Sequence, residues 1–102
     1  MTREQIMALT GRDLDKAVAV AIGELHAGEV KWFAEKYSTN LNLCRRAEGV
    51  IARRGLLSEY GNFLYEVIEA PTEWPYMQVM SVVRASAIDR CRAILLTLEA
   101  AK

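Results

Sequence analysis

The residues of this chain best suited to chemistry gather around the start of one predicted helix. Tyr37, Ser38, Thr39 and Asn40 precede it, and Arg45, Arg46, Arg53 and Arg54 lie along it. Ser, Thr and Asn at a helix start cap its unpaired amides. Those same amides, at the positive end of the helix dipole, can receive an anion instead. Eight residues separate each early arginine from its later counterpart, about 80° of helical rotation, so the four can form one broad positive flank. Such a flank suits bidentate contact with phosphate. It equally suits a solubilising face whose last pair complements the helix dipole. Tyr37 could stack on a base or belong to the core. Tyr37, Ser38, Thr39, Asn40, Arg45 and Arg46 are therefore the candidate ligand-binding set, with a phosphate-bearing ligand in view.

Catalysis finds less support. His26 is the only histidine and stands near Gly28 in an expected loop. A nucleophile needs a base within hydrogen-bond reach, and nothing in the sequence fixes a Cys or Ser beside His26. One His and two isolated cysteines, Cys44 and Cys91, cannot supply a zinc set at ligand spacing, so no metal site is expected. Both cysteines fall inside apolar helical patterns and are expected as buried thiols, with a disulfide as the alternative. Glu66 and Glu69 are expected on a surface strand. Neither a Walker loop nor a Gly-x-Gly-x-x-Gly loop is present. No cofactor is expected, and the chain is not expected to be an enzyme.

Trp32, Trp74, Tyr60 and Tyr76 are the other large aromatics placed outside predicted helices. Trp74 lies between Thr72 and Pro75, where an indole has few intrachain packing options. An exposed Trp would mark a contact surface, so Trp74 and Trp32 are the candidate interface residues. The alternative is a ring folded back over a sheet edge.

The totals bound what these residues can do. At 102 residues there is room for one domain, 1–102, and one core. A chain of this size buries only about 60–70% of its unfolded surface, so self-association is expected. The apolar fraction of 52% argues against disorder. Thirteen basic and thirteen acidic side chains cancel, giving no net field for nucleic acid or an anionic membrane. No apolar run approaches the roughly 18 residues of a membrane helix, and Met1 to Gln5 do not open a signal peptide. The expected compartment is the cytoplasm.

The elements that must position these residues follow from caps and periodicity. Thr2 and Gln5 have capping-box spacing and should start a short turn of helix through about Leu9. Thr10 is a second N-cap candidate. Leu14, Ala17, Val18, Ala21 and Ile22 then trace one helical face, with Gly23 at the stop. Val30, Trp32 and Ala34 alternate with polar or aromatic neighbours, predicting a strand from about Val30 to Tyr37; the alternative is a helix continued through 24–37, which would have to absorb two glycines at about 1 kcal/mol each. The arginine helix runs to about Arg54, with Leu43, Cys44, Ala47, Val50 and Ile51 inward and Gly55 ending it. Phe63, Tyr65 and Val67 alternate with Leu64, Glu66 and Ile68 as a second strand. Ala70 to Pro75 reads as a turn, and Tyr76 to Val83 as a third strand paired antiparallel with the second. Ser86 and Asp89 open the last helix, whose stripe is Ile88, Cys91, Ile94, Leu95, Leu98 and Ala101. The expected fold is α+β: a three-stranded, mainly antiparallel sheet packed with helices, in the order α-β-α-β-β-α.

Three strings in this order carry a resemblance. They are Gly11-Arg12-Asp13-Leu14-Asp15, Tyr37-Ser38-Thr39-Asn40, and Asp89-Arg90-Cys91-Arg92-Ala93-Ile94-Leu95-Leu96. Together they resemble the phage alpha-beta-alpha sandwich domain family of small phage and prophage proteins, and more distantly the NinX-like proteins. Asp13 stands where that family has Glu, Asn40 where it has Asp, and the stretch from Gly23 to Tyr37 is shorter. The resemblance implies a phage accessory protein in a bacterial cytoplasm, with no reaction attached.

Three functions are then expected in descending order. The first is a non-enzymatic binding protein that self-associates and could meet a host protein. The second is a sponge for a nucleotide or cyclic-nucleotide signal of host antiviral immunity, built on Tyr37 to Arg46. The third is DNA binding, which the zero net charge disfavours.

Overall fold

In the computed structural model of the protein, residues 1–26, 28, 34–69 and 85–102 are described. Helix α1, Arg3–Ala8, begins as its sequence demands. The Thr2 hydroxyl accepts from the Gln5 amide, and the Gln5 side chain accepts from the Thr2 amide. Two orphan donors of the first turn are thereby satisfied at once. Helix α2, Gly11–Ala21, follows after Thr10, which holds the N-cap position without a side-chain cap bond. Its end is a Schellman motif. The Gly23 amide donates to Val20 and the Glu24 amide to Ala19, with Gly23 at φ +87°. Glycine takes that conformation without a Cβ clash.

A 3₁₀ turn, Tyr37–Thr39, leads into helix α3, Leu41–Arg53. The Asn40 side chain caps α3 by accepting from the amides of Asn42 and Leu43 at 2.9 and 3.3 Å. Gly55 closes α3 with the same Schellman pattern, its amide on Ala52 and that of Leu56 on Ile51. Helix α4, Leu57–Val67, starts immediately afterwards. Helix α5, Ala87–Ala100, opens on a second capping box, formed by Ser86 and Asp89.

Helix α5 is the centre of the assembly and packs against α1, α2, the 3₁₀ turn, α3 and α4. Cys91 and every residue from Ala93 to Leu98 are buried, so this helix is covered all round over its middle turns. A helix apolar or small on every side belongs inside a bundle. Thr97 fits there because its hydroxyl donates back to the Ala93 carbonyl at 2.7 Å. Ile6 of α1, Leu14 and Val18 of α2, Cys44, Ala47 and Ile51 of α3, and Leu64 of α4 complete the core around it. Each fully buried Leu, Ile or Val contributes about 2 kcal/mol by removal of apolar surface from water.

The architecture is helical, and this corrects the expected α+β class. Among the described residues there is no strand and no sheet, so neither the three-stranded sheet nor the alpha-beta-alpha sandwich describes the protein. The expected strand Phe63–Ile68 is the C-terminal part of α4 and its cap. Its residues form a nearly unbroken apolar run, which fits a buried helix segment as well as a strand. Tyr60 and Leu64, four apart, supply the buried stripe, and Phe63, Val67 and Ile68 flank it half-buried. Of the expected strand Val30–Tyr37, the described residues are 34 to 37: Ala34 is a buried bend and Tyr37 begins the 3₁₀ turn. The remainder of that strand, the turn at Ala70–Pro75 and the strand Tyr76–Val83 lie outside the described residues.

Candidate functional site

Two regions bring polar residues together. The first is the junction ahead of α3, where the candidate ligand set lies. Tyr37 is fully buried, so its ring is part of the core. Its hydroxyl donates to the Glu24 carboxylate and accepts from Arg46 at 3.1 Å, while Arg46 also pairs with Glu24 at 3.1 Å. The Arg46 guanidinium lies 5.8 Å from the Tyr37 ring centre, within cation–π range. Burial, then the bond to Glu24, pushes the Tyr37 phenol up to about 12. The phenol raises Arg46 in turn.

Asp15 anchors this junction from α2. It is 2% exposed, and its carboxylate accepts from the Ser38 amide at 2.8 Å and from Arg12 at 3.3 Å. Arg12 also donates to the Ala34 carbonyl at 2.9 Å. A buried carboxylate is tolerated because both of its oxygens have partners. Ser38 is 4% exposed, and its hydroxyl has no hydrogen-bond partner among the described residues. The Thr39 hydroxyl donates to the Lys36 carbonyl at 3.4 Å. Arg45 is exposed and enters no ion pair among the described residues.

The structure thus brings together Tyr37, Ser38, Asn40 and Arg46 as a joint between α2, the 3₁₀ turn and α3. Arg45, exposed on α3, makes no ion pair with that joint among the described residues. Asp15 and Glu24 are members the sequence reasoning missed. For Asp15 the signal was present: it stands three and four residues before Val18 and Ala19, on the buried face of α2. A carboxylate at such a position calls for a partner.

The second region is a groove of about 730 Å³ that the sequence did not suggest. Its floor is apolar, formed by Ala17, Val20 and Ala21 of α2, Leu56 before α4, and Leu95 and Leu98 of α5. Lys16, Arg54, Asp13 and Glu99 stand among its lining residues, with the chain termini at one side. Glu99 is engaged by the Met1 amine at 2.8 Å and by Lys102 at 3.1 Å, and these cations hold its carboxyl below the usual range. Lys16 and Arg54 enter no ion pair among the described residues.

Other reactive groups are internal. Cys44 and Cys91 are both buried free thiols, with their sulfurs 3.7 Å apart across α3 and α5. Contact with Cys44, then burial, pushes the Cys91 thiol up. The Cys44 thiol donates to the Tyr37 carbonyl at 3.0 Å. Glu48, Tyr60 and Arg90 form a half-buried triangle joining α3, α4 and α5, with Tyr60 donating to Glu48 at 2.5 Å and Arg90 at 3.1 Å from the same oxygen. Burial and then Glu48 raise the Tyr60 phenol. Glu66 pairs with Arg3 at 2.7 Å on the surface of α4, and Glu69 follows that helix at φ +53°. His26 is exposed. Trp32, Trp74 and Tyr76 lie outside the described residues. Among the described residues no group of three or more His, Cys, Asp or Glu could hold a metal ion, and no helix is long and apolar enough to cross a membrane.

No family model matches the chain, and no curated protein or solved structure matches it significantly. Nothing in these comparisons bears on the phage resemblance of the three strings.

Proposed function

We propose that the protein acts by binding and not by catalysis, and that the groove between α2 and α5 is the surface it binds through. The observation that carries this is the groove itself: about 730 Å³, walled by apolar side chains from three parts of the chain, with a few charges at its edge. Ligand sites have this size and character, apolar over most of the wall with a small number of polar groups to orient the guest. The junction ahead of α3 supports a binding role less well, since a nucleotide there would need the Tyr37 ring and the Arg46 fork that the chain already uses. Duplex binding would draw on α3 arginines without help from net charge.

A neutral apolar dye tests the proposal. Nile red should bind with a fluorescence rise, and Ala17→Phe, which fills the floor, should weaken it at least tenfold while leaving the circular dichroism melt in place. No binding to the wild-type chain, or equal binding to Ala17→Phe, would remove the groove from consideration. A second copy could seat on the same surface, and light scattering tests this: dimers that Nile red disperses would make self-association the groove's use.

A further inference from the structure

The groove has a polarity that narrows its guest. Its floor is formed by residues with no polar side-chain atom, while two cations line it from different segments: Lys16 beside Ala17 on α2, and Arg54 two residues before Leu56. The other cations of the lining, Lys102 and the Met1 amine, are drawn to Glu99. Lys16 and Arg54 are thus the positive charges of the groove not neutralised by an ion pair among the described residues. A cation at the end of α3 complements the helix dipole, which accounts for the residue type at Arg54. It does not account for a lysine on α2 lining the same apolar cavity.

Given that the groove is the binding surface, we infer that it takes a single-chain amphiphile in solution, with an apolar tail on Val20, Leu56, Leu95 and Leu98 and an anionic head at Lys16 and Arg54. Arginine offers a planar fork that a carboxylate, sulfate or phosphate head can accept in two bonds. Lysine adds a point charge from α2. A neutral tail alone would use the floor and leave both cations solvated. A cationic head would face like charges.

A matched decyl series, kept below micelle concentration, separates these cases by calorimetric titration. Decyl sulfate should bind at least tenfold more tightly than decanol or decyltrimethylammonium, and its affinity should fall as sodium chloride is raised. Lys16→Gln combined with Arg54→Gln should bring decyl sulfate down to the affinity of decanol with the circular dichroism melt in place, and a preference that survives this double substitution would overturn the anionic head at these two residues. Equal affinity for the three heads, with Nile red still binding, would overturn the anionic head while leaving the groove as a binding surface. No binding of any decyl compound or of Nile red would overturn both. Vesicles of anionic phospholipid should not co-sediment the protein; if they do, the occupant is a bilayer and the soluble amphiphile is wrong.

Discussion

The junction ahead of α3 and the groove beside α2 use similar side chains in opposite ways. At the junction, Asp15, Tyr37, Glu24, Arg46 and Asn40 each find a partner within the chain. Along the groove, Lys16 and Arg54 have no carboxylate partner among the described residues, and apolar side chains line a concave surface. What separates a structural polar residue from a binding one is therefore not its type or its neighbours in sequence. It is whether the fold has already supplied the partner.

Three substitutions sharpen or break this contrast. The largest effect belongs to Asp15→Ala, which leaves the buried Ser38 amide without its acceptor and takes from half-exposed Arg12 one of its partners. A loss of about 2 kcal/mol in urea unfolding is expected, the cost of a buried amide left unpaired. Asp15→Asn should recover part of it, because an amide oxygen can still accept from Ser38. Wild-type stability in Asp15→Ala would mean that the junction is not held from α2.

An intermediate effect is expected for Tyr37→Phe, about 1 kcal/mol for one lost hydroxyl. Its pH dependence is more telling. The native state holds the Tyr37 proton to about pH 12, against about 10 for an ordinary phenol. A raised native value stabilises the fold fully below pH 10, and that contribution is lost as pH climbs from about 10 to 12. Tyr60 is raised as well and acts in the same direction. The urea midpoint of the wild type should therefore fall more steeply than that of Tyr37→Phe across this window. Parallel profiles would show that the phenol is not sequestered.

The smallest effect should come from the groove. Lys16→Gln and Arg54→Gln should each shift stability by less than about 0.5 kcal/mol, since half-buried Lys16 and exposed Arg54 enter no ion pair among the described residues. A loss above 1 kcal/mol in either would place that cation with the structural residues and erase the contrast.

Much of the helical frame was legible, because helix ends are written locally. Thr2 with Gln5 forms the capping box its spacing foretold, Ser86 and Asp89 open the last helix as expected, and Gly23 and Gly55 stop their helices in the left-handed conformation. Helix α4 was not legible. Phe63 to Ile68 satisfies a period of two and a period of 3.6 together, and only packing of Tyr60 and Leu64 against α5 decides between them. The groove was beyond reach for a different reason. Leu56 and Leu98 are unremarkable apolar residues until the bundle sets them around one concavity. The contact between Cys44 and Cys91, 47 residues apart, is likewise a product of how α3 crosses α5.

The place of α5 at the centre has a consequence for how the chain comes off the ribosome. Residues 1–69 emerge with the inner faces of α1, α2, α3 and α4 already made, yet the helix they all pack against is still in the exit tunnel or unsynthesised. Until residues 87–100 appear, Ile6, Leu14, Val18, Ile51 and Leu64 have no common surface to close on. Folding during synthesis can therefore begin as local helices but can finish only at one late moment. In that interval the nascent chain exposes its greatest apolar area, and chaperones would have most to hold.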